Sequence, residues 1–321
     1  MKKLAVYMQT TSGGFKNQLM KAFAEGVRTD LDGWEVVEHN GLDLVNSTHA
    51  LCFNYQRLKE DRLRPGLKLR CDVWDKHKKD GSIWFYDGNI FVSYEKTYEK
   101  TKGHPHNNFV RIPYSNVYSD KAKYFNENPD PNRWQNMMQR LQIQLKDYNK
   151  SGDKIILCCN RGSGGYSGLG VNAAEWAERT VRKIRQYTDR PIIIRQHHAR
   201  GYPSYNLDTT RLKSLVKENI NVELQNPEGH YPILIEQIRK CYAVVVFTSS
   251  AGAPAVIEGK PLYVEHPTSF LYPMNVGDLS TIENPNLNVD RQSFLNKLGD
   301  CHYSLEEIKR GVYWKKVKQY V

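Results

Sequence analysis

Three hydroxyl residues follow an apolar stretch of the chain and precede a run of very small side chains. Thr248, Ser249 and Ser250 come directly after the stretch 244–247, and the small residues occupy 251–253. In open α/β sheets, ligands bind at the carboxyl ends of the strands, where helix N-termini point free N–H groups at anions. Hydroxyl groups beside an unobstructed backbone suit a phosphate or pyrophosphate at such a place. Helix capping by Ser249 is an equally consistent interpretation of the same residues.

Basic side chains end a second apolar stretch, residues 191–196. Arg195, His197 and His198 can donate to phosphate oxygens, and an imidazole can also contact a nucleotide. A metal site is a weaker alternative, because adjacent histidines of an extended chain point to opposite sides and no further ligand follows at a metal-binding spacing. A purely structural role for both histidines stays open.

A glycine-rich loop at 160–170 follows a third apolar stretch. It is not a Walker A loop, because Gly-Lys-Ser/Thr is absent. Its glycines resemble a dinucleotide fingerprint, which makes a nicotinamide cofactor a further alternative. The basic end of the next strand and the unused hydroxyl cluster argue against that cofactor. We therefore assign Arg161 and Gly162, with the residues above, to a phosphorylated ligand at one edge of a sheet.

Short apolar strands alternating with helices must position these loops. The predicted strands are 4–10, 34–39, 49–55, 82–94, 154–160, 191–196, 221–225, 243–249 and 261–265, and the predicted helices are 15–28, 134–148, 172–187, 209–218, 232–240 and 252–258. Near-continuous apolar strands in such an alternation indicate parallel sheets covered on both faces. We expect an α/β protein with two Rossmann-like domains, 1–150 and 151–321, that face each other across a cleft.

The motifs of residues 154–265 resemble those of a known enzyme class. After the glycine-rich loop the chain has RQHH in place of the more usual RxHP, and TSSAGAPAVIEGKP in place of SSxxxEAxxxGKP. This order resembles the donor half of GT-B glycosyltransferases, most closely capsule-polysaccharide and Kdo-transferase-like enzymes and related bacteriophage glycosyltransferases. The resemblance implies that His197 and the two serines hold the phosphate of a nucleotide sugar. Pro254 stands where the family often has Glu, and Glu258 is the acidic residue of this stretch.

The resemblance implies transfer of a sugar from a nucleotide to an acceptor hydroxyl, with a UDP- or CMP-linked sugar as co-substrate and neither a metal nor a further cofactor. Such a reaction needs cations and dipoles at the leaving phosphate, His197 among them, and a base for the acceptor. We predict Asp87 as this base, although Asp-Gly is also a common turn, and the alternatives are His39, His104 and His106. The Asp30–Asp32 pair suggests a metal-dependent enzyme only weakly, because it lies in a turn. The predicted donor-binding residues are Arg161, Gly162, Arg195, His197, His198, Thr248, Ser249, Ser250 and Glu258.

The charge of the chain points to an anionic partner. The formal net charge is +11, and residues 57–79 hold nine Lys or Arg against four acidic residues. A basic groove with nearby aromatics suits double-stranded DNA and a flipped base. We therefore predict 5-hydroxymethylcytosine DNA of a phage as the acceptor, bound by the N-terminal domain. A capsule or lipopolysaccharide acceptor, and a non-enzymatic nucleic-acid-binding protein, are the alternatives. The predicted acceptor residues are Thr11, Ser12, Gly13, Arg62, Arg64, Lys68, Arg70 and Trp74.

The location of the protein is predicted from what the sequence lacks. No apolar stretch reaches 18 residues, the length expected of a membrane-spanning helix, and the first apolar run is too short for a signal peptide. The six cysteines show neither CxxC pairs nor metal-ligand spacing. We therefore expect reduced thiols and a cytoplasmic protein.

Overall fold

A computed structural model shows two compact units whose segments alternate along the chain. The first unit comprises Met1–Asn89, Pro105–Arg140 and Leu295–Val321, and the second comprises Ile90–His104 and Leu141–Phe294. The residues that the structure describes are 1–8, 15–52, 65–86, 91, 94, 109–116, 121–160, 169, 171–197, 209–218, 221–225 and 233–321.

The first unit is built on a parallel sheet of four strands in the order β2-β1-β3-β4. Its helix α1 buries Leu19, Phe23 and Val27, which are spaced four residues apart and so share one face of the helix. The elements of this part of the chain are β1 (Lys2–Tyr7), α1 (Phe15–Arg28), β2 (Trp34–His39), β3 (His49–Cys52), α2 (Pro65–His77), β4 (Ile83–Phe85), β5 (Val110–Arg111) and α3 (Pro131–Leu141).

The C-terminal residues return to the first unit. They form α8 (Arg291–Asp300), β11 (His302–Tyr303), α9 (Leu305–Lys309) and α10 (Val312–Val317). β11 pairs antiparallel with β5, and Trp314 is 1% exposed. Our predicted boundary at residue 150, with everything after it in the second domain, differs from this division. The reason is that the last 27 residues of the chain, 295–321, contribute Tyr303, Tyr313 and Trp314 to the hydrophobic core of the first unit.

The second unit contains a parallel sheet of five strands in the order β10-β9-β6-β7-β8. Its elements are β6 (Ile155–Cys158), α4 (Ala173–Ile184), β7 (Ile192–Arg195), α5 (Thr209–Glu218), β8 (Val222–Gln225), α6 (Leu234–Arg239), β9 (Ala243–Val246), a 3₁₀ turn (Ser250–Gly252), α7 (Ala253–Ile257) and β10 (Leu262–Val264). Read from β8, the order is third, second, first, fourth and fifth strand along the chain. The chain therefore reverses its direction of winding between β6 and β9, which is the place where doubly wound sheets form their ligand crevice.

Both faces of the second sheet are covered, as its apolar strands require. Ile192 and Ile194 join the core under α4 and α5, and strand alternation turns Ile193 and Arg195 to the other face. The N-terminus of α4 is capped by Asn172, whose side chain accepts from the N–H groups of Ala174 and Glu175 at 2.8 and 3.2 Å. This is the side-chain capping expected of Asn before a helix.

The predicted long helix 134–148 is shorter in the structure, where α3 ends at Leu141. Gln142 has a φ of 52°, and this left-handed residue stops the helix. The chain then runs extended, with Lys146 N–H donating to Ile257 O at 2.9 Å and Asn149 N–H donating to Gly259 O at 2.8 Å. Residues 142–151, which we name the connecting segment, are thus held by backbone hydrogen bonds to Ile257 and Gly259.

The predicted fold class is confirmed: the chain is α/β, with two Rossmann-like units built on parallel sheets. Helix α5 has its predicted bounds, whereas the strand predicted over 82–94 is a strand only at Ile83–Phe85 in the described residues. None of the helices in the described residues combines the length and the apolar character needed to cross a bilayer.

Candidate functional site

The residues that follow β6, β7, β9 and β10 lie together along one side of the second sheet, which we name the carboxyl edge. Register places Cys158 beside both Arg195 and Val246, and Val264 beside Val246, so the four strands end at the same level. Asn160, His197, Thr248 and His266 follow these ends within two residues. The predicted convergence of strand ends is therefore present for the residues that the structure describes.

Asn160 and Thr248 join β6 to β9 across the point where the sheet reverses its winding. Asn160 Nδ2 donates to Thr248 Oγ1 at 2.9 Å, and Thr248 N–H donates to Asn160 Oδ1 at 3.4 Å. Because the Thr248 oxygen already accepts from Asn160, its own hydroxyl proton points elsewhere. Thr248 can therefore donate its proton at this edge, and its oxygen keeps one further lone pair.

Ser249 has the same character. It is 7% exposed, and its Oγ accepts from the Ala251 N–H at 3.3 Å as the cap of the 3₁₀ turn. Its hydroxyl proton remains to be donated, and Ser250 beside it is exposed at the first position of that turn. Capping and ligand binding by Ser249 are therefore compatible, because capping uses the oxygen and leaves the proton.

Arg195 lies at the end of β7 but its guanidinium is turned away from solvent. The residue is 8% exposed, and Nη1 donates to Gln237 Oε1 and to Gln225 Oε1, the latter at 3.4 Å. Gln237 Nε2 also donates to Gln225 Oε1 at 2.8 Å. This buried network holds a positive charge just under the edge and commits Nη1 to two amide oxygens.

His197 follows β7 and is partly exposed at the carboxyl edge. Arg161, Gly162 and His198, which we also predict to bind the donor, lie outside the described residues, and so does the predicted base Asp87. Among the described residues there is no group of three or more His, Cys, Asp or Glu side chains that could hold a metal ion.

Glu258 corrects our prediction of a donor-binding carboxylate. Helix α7 carries the chain back from the carboxyl edge, so Glu258 and Lys260 lie at the opposite, amino edge of the sheet. The start of β9 shows this directly, since Val244 N–H donates to Pro261 O at 2.9 Å. A carboxylate at the amino edge cannot share a ligand with Ser249, because a helix and a strand length separate them.

The Glu258 carboxylate instead organises an ion-pair cluster. It is 3% exposed and accepts from Lys146 Nζ, from Arg239 Nε at 3.2 Å and from Tyr94 Oη at 3.2 Å. Burial raises the pKa of this carboxyl, but hydrogen bonds and charges from Arg239 and Lys146 outweigh burial and hold it below its ordinary value. Lys260, 1% exposed, donates to Asn149 Oδ1 and Ser151 Oγ. The Gly-Lys-Pro sequence thus fastens the connecting segment.

Two residues after β10 belong to the carboxyl edge and were absent from our sequence-based prediction. Glu265 Oε2 accepts from Trp176 Nε1 and, at 3.2 Å, from Thr180 Oγ1, which ties β10 to α4. His266 packs its ring on Phe247 with centroids 4.9 Å apart. The signal was available, since a histidine beyond the end of a predicted strand is the criterion that selected His197. Asn160 also went unassigned, although it opens the glycine-rich loop.

The predicted acceptor residues fall mainly outside the described part of the chain. Thr11, Ser12, Gly13, Arg62 and Arg64 lie there, as do the alternative bases His104 and His106. Their placement stays a prediction.

The described members of the acceptor set lie on α2. Lys68 pairs with Asp72 at 2.6 Å within the helix, and Arg70 lies one position after the buried Leu69. Trp74 packs against Phe85 with centroids 5.5 Å apart, so its ring is partly covered by its own unit. An indole packed in this way is a poor platform for a flipped base.

The alternative base His39 and the metal-binding candidate Asp30 both have structural partners in the first unit. His39 Nε2 lies 3.1 Å from Asp43 Oδ1, and its ring meets Tyr7 edge-on. Asp30 is paired with Lys318 at 2.5 Å. A metal-binding role for the Asp30–Asp32 pair loses its support, because Asp30 already has a cation.

Comparison with known proteins shows which solved structures share the fold of this chain. No protein-family model and no curated protein matches this chain. The KpsC beta Kdo 2,7 transferase of Thermosulfurimonas dismutans is 12% identical over 100% of both chains, with a TM-score of 0.51. The beta Kdo 2,4 transferase of the same KpsC is 7% identical over 92% of this chain and 89% of its own, with a TM-score of 0.47. A UDP-GlcNAc 2-epimerase of Methanocaldococcus jannaschii, solved with UDP-GlcNAc and UDP, is 11% identical over 99% of this chain and 100% of its own, with a TM-score of 0.35.

The first likeness extends over the whole of both chains and shows a shared fold. This chain has the GT-B fold. Its carboxyl edge presents hydroxyl protons from Thr248 and Ser249, with a buried guanidinium at Arg195 beneath. Hydroxyl donors beside a positive charge suit an anionic ligand.

Proposed function

We propose that this protein is a glycosyltransferase that takes its sugar from a nucleotide donor and transfers it to a hydroxyl of a capsule-type or lipopolysaccharide-type glycan. The observation that carries the proposal is the pair of donor hydroxyls at the winding reversal of the second sheet. The oxygens of Thr248 and Ser249 accept from Asn160 and from the Ala251 N–H, and their protons can be donated to a phosphate. The GT-B fold supports a sugar-nucleotide as the source of that phosphate.

The donor would be a UDP- or CMP-linked sugar held at the carboxyl edge. Thr248, Ser249, Ser250 and His197 would contact its phosphate, together with Arg161, Gly162 and His198 from the loops beside them. Arg195 would act through its charge from below, because its Nη1 already serves Gln225 and Gln237. As the glycosidic bond breaks, these groups would stabilise the negative charge that develops on the leaving phosphate. Asp87 remains the proposed base for the acceptor hydroxyl.

The glycan acceptor is favoured over hydroxymethylcytosine DNA by two observations. The solved structure that matches this chain over its whole length with a TM-score of 0.51 is a Kdo transferase. The described part of the basic stretch is also less available than its composition suggests. Lys68 and Lys78 are paired with Asp72 and Asp75 at 2.6 and 2.8 Å, and Trp74 is packed on Phe85. The net charge of +11 remains the observation that favours DNA as the acceptor.

Calorimetry with UDP and CMP tests the donor site. Replacing Ser249 and Ser250 together by alanine should weaken binding of the recognised nucleotide about a hundredfold or more, since two hydrogen bonds to a charged group contribute about 1.5–3 kcal/mol each. The matched control is Ser214→Ala on α5, an exposed hydroxyl in mid-helix, which should leave the affinity unchanged. Circular dichroism checks that both variants fold. Unchanged nucleotide affinity in the folded double variant would refute the site.

Mass spectrometry of reaction products tests the acceptor. The protein is incubated with UDP- and CMP-sugars and, in separate reactions, an acidic oligosaccharide or hydroxymethylcytosine DNA. A mass increase of one sugar residue on the oligosaccharide is the expected result. Sugar on the DNA alone would replace the glycan acceptor by DNA, and salt-sensitive DNA binding without any transfer would identify a non-enzymatic binding protein.

A further inference from the structure

A third side chain at the carboxyl edge has the donor character of Thr248 and Ser249. β10 continues beside β9 past the strand ends, with Glu265 N–H donating to Val246 O at 3.0 Å and His266 N–H donating to Phe247 O at 3.3 Å. The backbone of His266 therefore lies next to Phe247, one residue before Thr248. This places an imidazole on the β10 side of the proposed phosphate site, opposite the residues that β6 and β7 supply.

The tautomer of His266 follows from its partners. Thr268 N–H lies 3.3 Å from His266 Nδ1, and Thr268 Oγ1 lies 2.8 Å from the same nitrogen. A backbone N–H can only donate, so Nδ1 accepts and, in the neutral ring, the proton is on Nε2. In the described part of the chain no group forms a hydrogen bond with Nε2. The ring is partly exposed and is oriented by its contact with Phe247.

We propose that His266 is a ligand-binding residue whose Nε2–H donates to a phosphate oxygen of the bound nucleotide. The inference rests on the proposed function, because it needs a nucleotide at this edge. It adds a donor from β10 to those of Thr248 and Ser249 on β9. Together these residues place three side-chain donors, from β9 and β10, along the edge at which the proposed phosphate lies.

Three variants separate ligand binding from ring packing. Glutamine places an amide N–H₂ near the position of Nε2, whereas asparagine places it near Nδ1. His266→Ala and His266→Asn should each weaken UDP or CMP binding about tenfold, and His266→Gln should recover most of the loss. A purely structural role of the ring predicts equal losses in all three variants, because each removes the contact with Phe247.

Uridine and cytidine supply the second measurement. Because the nucleosides lack the phosphate, their affinity should be the same for the wild-type protein and for His266→Ala. A loss of nucleotide affinity that is matched by an equal loss of nucleoside affinity would overturn the assignment, as would full nucleotide affinity in a folded His266→Ala. If the wild-type protein bound neither UDP nor CMP, the proposed function itself would fail, and the two failures are therefore distinguishable.

Discussion

At the scale of single residues, the carboxyl edge shows how one side chain serves both the fold and a ligand. Asn160, Thr248 and Ser249 each use a polar side-chain group to fix the strand ends. On both hydroxyls the proton can still be donated to a ligand. The sequence identified these hydroxyls but not which of them would donate to a ligand. That depends on the groups from which their oxygens accept, and for Thr248 this group is Asn160, which is distant along the chain.

Asn160→Asp tests donation by Thr248 directly. An aspartate cannot donate to Thr248 Oγ1 and would instead accept the hydroxyl proton, and it would add a negative charge beside the phosphate. We expect Asn160→Asp to lower nucleotide affinity about tenfold or more relative to the wild type. Asn160→Ala should lower it less. Calorimetry with UDP and CMP measures the order of the two variants.

The control for added charge is Asn286→Asp, whose side chain accepts from the Asn288 N–H at 3.0 Å and needs no donor of its own. It should leave the affinity nearly unchanged. An Asn160→Asp protein that binds nucleotide as tightly as Asn160→Ala would contradict donation by the Thr248 hydroxyl to the nucleotide.

Glu258 should make the second unit sensitive to acid. Its pKa is lower in the folded state than the ordinary value of 4.5. A carboxyl of this kind stabilises the fold above its unfolded pKa, and the contribution is lost as pH falls through the lower folded value. Hydrogen exchange over residues 243–264 should therefore accelerate as the pH is taken from about 5 toward 3, beyond the intrinsic change in exchange.

Glu258→Gln should remove this acid-range loss and cost about 1–3 kcal/mol at neutral pH, because two hydrogen bonds to a charged acceptor are weakened. The cost stays moderate since Lys146 and Arg239 are 47% and 42% exposed and can turn to water. The comparison is Glu306→Gln, whose pair with Arg310 is exposed and should contribute little. An unaltered pH profile in Glu258→Gln would disprove the assignment.

At the scale of elements, the loop between α7 and β10 anchors the connecting segment 142–151. Gly259 has a φ of 68°, and a Cβ at this position would lie 2.0 Å from Asp147 O. The structure explains the glycine and the lysine of the Gly259-Lys260-Pro261 sequence. Glycine permits the backbone of the connecting segment to approach, and the buried Lys260 binds Asn149 and Ser151.

Gly259→Ala should therefore open this anchor. The substitution combines a left-handed conformation, which costs about 1–2 kcal/mol, with a clash against backbone that adds about 1–3 kcal/mol. Gly33→Ala separates the two costs, since Gly33 has a φ of 73° but would meet no atom within 4 Å. Hydrogen exchange should rise strongly around residues 142–151 in the Gly259→Ala protein. In the Gly33→Ala protein it should rise only modestly around residue 33. Equal effects would mean that Asp147 does not pack against this turn.

Strand and helix patterns predicted the elements of the second unit well, for reasons visible in its residues. Ile192, Ile194, Val244 and Val245 are buried, and runs of this kind have few alternatives to a central parallel strand. The end of α3 was mispredicted because its stop signal is a left-handed Gln142, a residue type that gives no local warning. The position of Glu258 required the path of α7, which periodicity alone does not supply.

At the scale of the whole molecule, the units are interleaved along the chain, and the C-terminal segment completes the first core. Trp314 meets Trp34 and Trp84 with ring centroids 4.9 and 6.0 Å apart, and its Nε1 donates to Asp30 O at 2.9 Å. No local pattern connects a helix at 312–317 with a strand at 34–39. The predicted boundary at residue 150 therefore assigned the last helices to the neighbouring domain.

Trp314→Ala should destabilise the first unit while leaving the nucleotide site intact. The residue is 1% exposed, and truncating a buried tryptophan costs about 3–5 kcal/mol. Intrinsic fluorescence during urea unfolding reports mainly on the first unit, because it holds Trp34, Trp74, Trp84, Trp134 and Trp314, whereas the second unit holds Trp176. The fluorescence midpoint should fall, and calorimetry at low urea should give unchanged UDP or CMP affinity. Val312→Ala, at a 38% exposed position of the same helix, should change neither value. If Trp314→Ala instead abolished nucleotide binding and left the fluorescence transition in place, the C-terminal segment would belong to the nucleotide-binding unit.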